Sequence, residues 1–144
     1  LQNNGRLSNK ELAARVGVAP STCLLRVRRL QEGGALRGFY TSFDSQSLGV
    51  GLHAIVSVQL RRHLREWVES FRAHALSLPE VVDLYHMSGV NDFLIHVAVR
   101  DSQHLRELAM TAFTTRREVS KIETALVFEH VSSHRLPVYV QPAE

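Results

Sequence analysis

The sequence predicts an α+β protein: an N-terminal helix-turn-helix, winged-helix-like, followed by a C-terminal ferredoxin-like βαββαβ domain. Three observations carry this. Residues 8–30 hold two short helical periods separated by Gly17 and Pro20. From residue 52 on, the patterns run strand, helix, strand, strand, helix, strand. The charge also divides: residues 1–43 carry seven Lys/Arg against two Asp/Glu, and residues 44–144 carry ten against twelve. A basic head on a near-neutral body is expected where one segment meets a polyanion.

Leu1–Arg6 reads as the tail of a helix capped by Gly5, the rest of which would precede residue 1, because a two-helix unit cannot bury its own core. Ser8 followed by Glu11 is a capping box. The helix it starts presents Leu12, Ala13 and Val16 as one apolar stripe, and Gly17 ends it. Pro20 suits the first position of the second helix. There Cys23, Leu24, Val27 and Leu30 share one side. Thr22, Leu25, Arg26 and Arg29 share the opposite side, flanked by Ser21 and Arg28. A helix-turn-helix that lays its second helix in a DNA major groove needs that division. A helical hairpin with a solvated arginine face shows it as well. Gln31–Gly34 stops the helix, Ala35–Phe43 is an extended arm, and the polar bend 44–51 is the linker between a head of 1–43 and a body of 52–144.

In the body, 52–60 alternates as a strand, and Leu64, Trp67, Val68, Phe71 and Ala75 define a helix over 64–76. Residues 80–88 and 92–99 are strands joined by the turn Gly89-Val90-Asn91. Asp101 caps a helix reaching about residue 115, with Leu105, Leu108, Ala109, Ala112 and Phe113 inward. A last strand covers 119–131, and 137–144 is a tail. One sheet face carries Ala54, Val56, Val58, Phe93, Ile95, Val97, Leu126 and Phe128 toward the two helices. The other carries His53, Ile55, Ser57, Gln59, Tyr85, Met87, Leu94, His96 and Ala98, too apolar to stay wet, so a second copy is expected to cover it.

Taken in order, Leu7–Gly17, Pro20–Leu30, Arg37-Gly38-Phe39-Tyr40 and Ser88-Gly89-Val90-Asn91-Asp92-Phe93 make the chain resemble the Lrp/AsnC, or feast/famine, transcription regulators over essentially its whole length. The resemblance implies binding to double-stranded DNA, a homodimer assembling to tetramers or octamers, and a C-terminal domain that senses a small metabolite, usually an amino acid. Two positions depart from the family pattern: Ala19 stands where Ser usually caps the second helix, and Leu25 where Arg is common.

For the DNA-reading face, Ser21 and Thr22 fall in the first turn, where amides and hydroxyls can bond phosphate. Arg26 and Arg29 can fork onto guanine O6 and N7, Arg28 at the edge suits phosphate, and Leu25 offers an apolar contact to a thymine methyl. Gly89, Val90, Asn91 and Asp92 are turn formers, enough for a plain hairpin. They also offer amides for a carboxylate and acceptors for an ammonium. The resemblance favours the ligand site, adding Phe93, where the family commonly has Tyr, with Thr124 and Ala125 facing the turn from a neighbouring subunit. Val90 is likewise an unusual choice.

No phosphate loop, dinucleotide-binding glycines, nucleophile elbow or zinc-protease motif is present, so no catalytic residue, metal or cofactor is expected beyond an amino-acid effector. His86 and His96 can approach on paired strands, yet no cysteine or close ligand spacing joins them. Cys23, the single cysteine, sits on an apolar helix side as a core residue. No apolar run approaches a membrane span, and a cytoplasmic location is expected. A second reading is a self-associating, metabolite-binding βαββαβ module without DNA binding, which Ala19 and Leu25 favour.

Overall fold

The computed structural model describes residues 1–133 and 135–139. Contacts divide the chain into two units: Leu1–Ser42 with the described residues from Val131 on, and Phe43–His130. The sequence pattern runs the body to residue 144, but the chain from Val131 groups with the head. Arg135 Nε donates to Asn3 Oδ1 at 2.7 Å, and the Leu136 amide donates to Gln2 Oε1 at 3.0 Å. Of the expected tail, positions 140–144 lie outside the described residues.

In the first unit, helix α1 spans Asn9–Val16 and helix α2 spans Pro20–Glu32. The capping box is formed: Ser8 Oγ accepts from the Glu11 amide at 3.3 Å, and Glu11 Oε2 accepts from the Ser8 amide at 2.8 Å. Those bonds from Ser8 hold the Glu11 carboxyl below its ordinary pKa. Gly17, at φ 67°, ends α1 in the left-handed conformation, and the Val18 amide closes back onto Ala13 O at 3.1 Å.

Only Ala13 and Cys23 are fully buried between these helices, with Leu12 and Val27 half-buried. Val16, Leu24 and Leu30 are exposed, contrary to the periodic reading, because two helices enclose only the stripe along which they touch. Residues 1–7 form turns rather than a helix end. Gly5 is no cap; a Cβ there would stand 3.0 Å from the Phe39 ring. The arm is extended, and no strand forms among the described residues of this unit.

The second unit opens with a fold in place of the expected linker. Asp44 Oδ2 accepts from the Ser47 amide at 2.8 Å and the Ser47 hydroxyl at 2.7 Å, which starts a 3₁₀ turn over Gln46–Leu48 and lowers the Asp44 pKa. The Gly51 amide then donates to Val99 O at 3.0 Å. The approach is so close that a Cβ on Gly51 would lie 2.3 Å from Arg100 O.

Strands β1 (Leu52–Leu60), β2 (Val81–His86), β3 (Phe93–Val99) and β4 (Val119–Val127) form one antiparallel sheet in the order β2-β3-β1-β4. Helices α3 (Arg65–Leu76) and α4 (Ser102–Leu108) pack on one face. Phe71 of α3 meets Phe93 at 4.9 Å and Phe113 at 6.2 Å between ring centroids, and all three rings are buried. Ala54, Val56, Val58, Ile95 and Val97 complete that core, as their alternation requires.

Three elements are clearly shorter than predicted, the first being the strand expected over 80–88, which covers only Val81–His86. The helix expected to reach residue 115 is α-helical only to Leu108 and continues as a π turn over Ala109–Thr114. Hydroxyls of Thr111, Thr114 and Thr115 bond back to carbonyls of Glu107, Ala109 and Thr111, and His74 Nε2 bonds Ala112 O at 2.8 Å. Such bonds compete with the regular ladder. Leu105, Leu108, Ala112 and Phe113 still point inward, and Ala109 is half-buried. The last strand stops at Val127, not 131. Leu126 is opposite Ala54 in register but half exposed, and Phe128, past the strand, is 97% exposed. Burial fades along β4 because it is the sheet's edge.

Candidate functional site

Two surfaces gather the residues that the sequence pattern marks. The first is the outer side of α2. Ser21, Thr22, Leu25, Arg26, Arg28 and Arg29 are all exposed, Leu25 at 50%, while Cys23 anchors the opposite side. Among the described residues none of these three arginines forms an ion pair. Ala19 at the N-cap supplies no side-chain bond, so the first-turn amides keep donors for an outside acceptor. Asn9 Nδ2 donates to Pro20 O at 2.8 Å and ties the start of α1 to the start of α2. Nothing in the sequence pattern points to that tie.

The second surface is the turn between β2 and β3. Gly89 has φ 116°, and Val90 is 82% exposed. Asn91 Oδ1 accepts from Gln59 Nε2 at 3.2 Å. Asp92 is 5% exposed and turns inward. Its Oδ2 accepts from the Leu60 amide at 2.7 Å, and its Oδ1 stands 2.8 Å from His63 Nδ1. The Asp92 amide donates to Val58 O at 2.9 Å, and the Met87 amide to Asp92 O at 2.9 Å. The turn is therefore fastened to the end of β1.

Phe93 does not face the turn's surface: its ring is buried, stacked on His86 at 4.8 Å and packed on Phe71, because its register places it on the helix side. Thr124 and Ala125 are exposed on β4, with β3 and β1 lying between that strand and β2. One chain does not bring them to the turn. Gln59, Leu60 and His63, which hold Asn91 and Asp92, escape the sequence reading. Their signal is the end of a strand facing a turn, legible only once β1 and β3 are paired.

His86 and His96 do not approach; His86 is opposite Phe93 in register, and His96 opposite Asp83. His96 meets His53 instead. Among the described residues no three His, Cys, Asp or Glu side chains are arranged to hold a metal ion.

A family model described as Lrp/AsnC ligand binding domain matches residues 53–137, and one described as winged helix-turn-helix DNA-binding matches residues 1–37. The chain belongs to the Lrp/AsnC family. It is 44% identical over 131 residues to the HTH-type transcriptional regulator AldR of Mycolicibacterium smegmatis, covering 91% of this chain and 77% of that protein. It is 34% identical over 139 residues to the leucine-responsive regulatory protein of Salmonella typhimurium, covering 96% and 85%. Among solved structures, a transcriptional regulator from Neisseria meningitidis in complex with L-Met superposes with a TM-score of 0.82 at 28% identity, covering 92% of this chain and 85% of the other. As an Lrp/AsnC protein the chain is a transcriptional regulator with a DNA-binding head and a ligand-binding body, and not an enzyme. No helix among the described residues is long and apolar enough to cross a membrane.

Proposed function

We propose that this Lrp/AsnC regulator reads operator DNA as a homodimer through α2 and that an amino acid bound at the β2–β3 turn sets its activity. The observation that carries the first part is the outer face of α2, where exposed Arg26 and Arg29 stand one turn apart behind a first turn with no cap. Ser21, Thr22 and Arg28 hold phosphates, Arg26 and Arg29 reach guanine edges, and Leu25 packs on a thymine methyl. Two heads then read half-sites about one helical turn, or a multiple of it, apart.

The open sheet face supports the dimer: Ile55, Leu94 and Ala98 are half-buried, Tyr85 and Met87 are exposed, and no helix among the described residues covers them. Dimers assemble further to tetramers or octamers. The amino-acid class is supported by the L-Met complex of the Neisseria regulator and by the leucine-responsive name of the Salmonella relative. In this chain the ligand meets the backbone of Gly89 and Val90 and the Asn91 side chain. Asp92 and Phe93 hold that turn from beneath, and Thr124 and Ala125 come from the adjoining subunit. A protein with this partner works in the cytoplasm, where the DNA is.

The test is a genomic pull-down of bound DNA, followed by anisotropy titrations of the recovered sites with and without each amino acid. Log affinity should fall with log salt by about 0.9 per phosphate contacted. Binding insensitive to salt would remove the DNA reading. No change in affinity or melting temperature with any amino acid would remove the effector.

A further inference from the structure

In the head, one side chain settles where the DNA-facing helix begins. Asn9 opens α1 and Pro20 opens α2. Asn9 is half-buried, and its Nδ2 donates to Pro20 O at 2.8 Å across eleven residues of chain. The acceptor is a carbonyl, so only the amide nitrogen of Asn9 can face it, and chemistry fixes which way the carboxamide points. A carbonyl oxygen has two lone pairs, so the tie leaves the ladder of α2 intact. Asn9 is itself seated by the capping box that Ser8 and Glu11 close around it.

The rest of the contact between the two helices is thin and apolar. Ala13 and Cys23 are its fully buried side chains, both small, and Leu12 and Val27 are half-buried. Apolar burial is non-directional, so it holds α2 against α1 without setting the angle between them. A hydrogen bond is directional. Among the described residues no other side-chain hydrogen bond joins α1 to α2. Ala19 supplies no cap that would fix the first turn of α2 from its own side.

The consequence is largest at the far end of the reading face. Arg29 lies eight residues beyond Ser21, about 12 Å along the axis. With the first turn seated on phosphate, a tilt of α2 by about 10° carries Arg29 about 2 Å sideways. A two-pronged contact to a guanine edge does not survive that displacement. Attraction to phosphates is far less directional and persists.

We infer that Asn9 is a positioning residue for base reading: its bond to Pro20 O sets the angle at which α2 presents Arg26 and Arg29, and so governs sequence discrimination without contacting a base. The inference rests on the proposal above that the outer face of α2 reads bases.

The test is paired anisotropy titration of the full chain on a recovered operator duplex and on a scrambled duplex of the same length and composition. Wild type is compared with Asn9→Ala, Asn9→Asp, Ser8→Ala and Arg26→Ala, with melting temperatures measured alongside. Asn9→Ala should lower the ratio of operator to scrambled affinity by about ten-fold or more, the worth of one good two-pronged base contact. Its affinity for the scrambled duplex should stay within about two-fold of wild type, with the same salt slope. It should melt close to wild type, since the bond lost is a neutral one at the surface. Asn9→Asp has the shape of asparagine but no N–H to give, so its ratio should fall alike. Ser8→Ala loses the neighbouring cap and keeps the tie, so it should melt lower and keep the ratio. Discrimination that instead follows melting temperature across the variants makes Asn9 merely structural and overturns the inference. A wild-type ratio in Asn9→Ala, with the ratio of Arg26→Ala lowered, also overturns it and leaves the reading face standing. A wild-type ratio in Arg26→Ala overturns the reading face itself, and the inference with it.

Discussion

Replacing Asp92 with alanine separates two roles that the sequence leaves superimposed. The carboxylate accepts from the buried Leu60 amide at 2.7 Å and meets His63 at 2.8 Å. Removing it leaves the Leu60 N–H without its acceptor, which costs about 1.5–3 kcal/mol for a bond to a charged group. His63 is mostly exposed, so that pair adds about 0–1 kcal/mol. Together Asp92→Ala should cost about 2–4 kcal/mol and lower the melting temperature by about 10–20 °C for a domain of this size.

Thermal unfolding followed by circular dichroism, without any ligand, measures this directly. Asp92→Asn keeps an acceptor for Leu60 and should lose less than half as much, and His63→Ala should stay within about 1 kcal/mol of wild type. If Asp92→Ala melts within about 3 °C of wild type and abolishes only the shift caused by an amino acid, the carboxylate serves the ligand and its role as the fastening beneath the turn is refuted.

Arg26→Ala should weaken binding to a recovered operator by about 1–3 kcal/mol while sparing random DNA, whereas Arg28→Ala should weaken both alike and reduce the salt slope by about one; paired anisotropy titrations distinguish them. Ser8→Ala should destabilise the head by about 0.5–2 kcal/mol. NMR titration of the same variant should show the Glu11 pKa rising back toward its ordinary value. That capping contribution is full above about pH 4.5 and lost as pH falls through the lowered Glu11 pKa. Gly51→Ala should cost more than about 2 kcal/mol in urea unfolding, because its Cβ would meet the backbone oxygen of Arg100 at 2.3 Å and no rotamer relieves that.

The head is legible in the sequence because its signals are local: Ser8 and Glu11 are three residues apart, Gly17 and Pro20 bracket one turn, and the basic side of α2 follows from helical period alone. Alternation likewise puts Val56, Val58, Ile95 and Val97 in the core. What escapes depends on pairing between distant residues. Asp92 looks like any turn carboxylate until the end of β1 lies beneath it, and His96 finds His53 rather than His86 only once the strand register is set. Phe128 and Leu126 fit the apolar alternation, but alternation says nothing of which strand becomes an edge. The π turn stays hidden because its cause is three threonine hydroxyls bonding back to the helix and a histidine from α3 bonding a carbonyl across it.

The first unit is discontinuous: it takes its opening 42 residues and then, after the whole sheet has been laid down, the segment that bonds Gln2 and Asn3. A ribosome emitting this chain finishes the helices long before it delivers the piece that clasps the turn ahead of them. Cloning residues 1–43 as an autonomous fragment would amputate that clasp, and a protease nick at Ser42 would leave the severed end still gripped from behind.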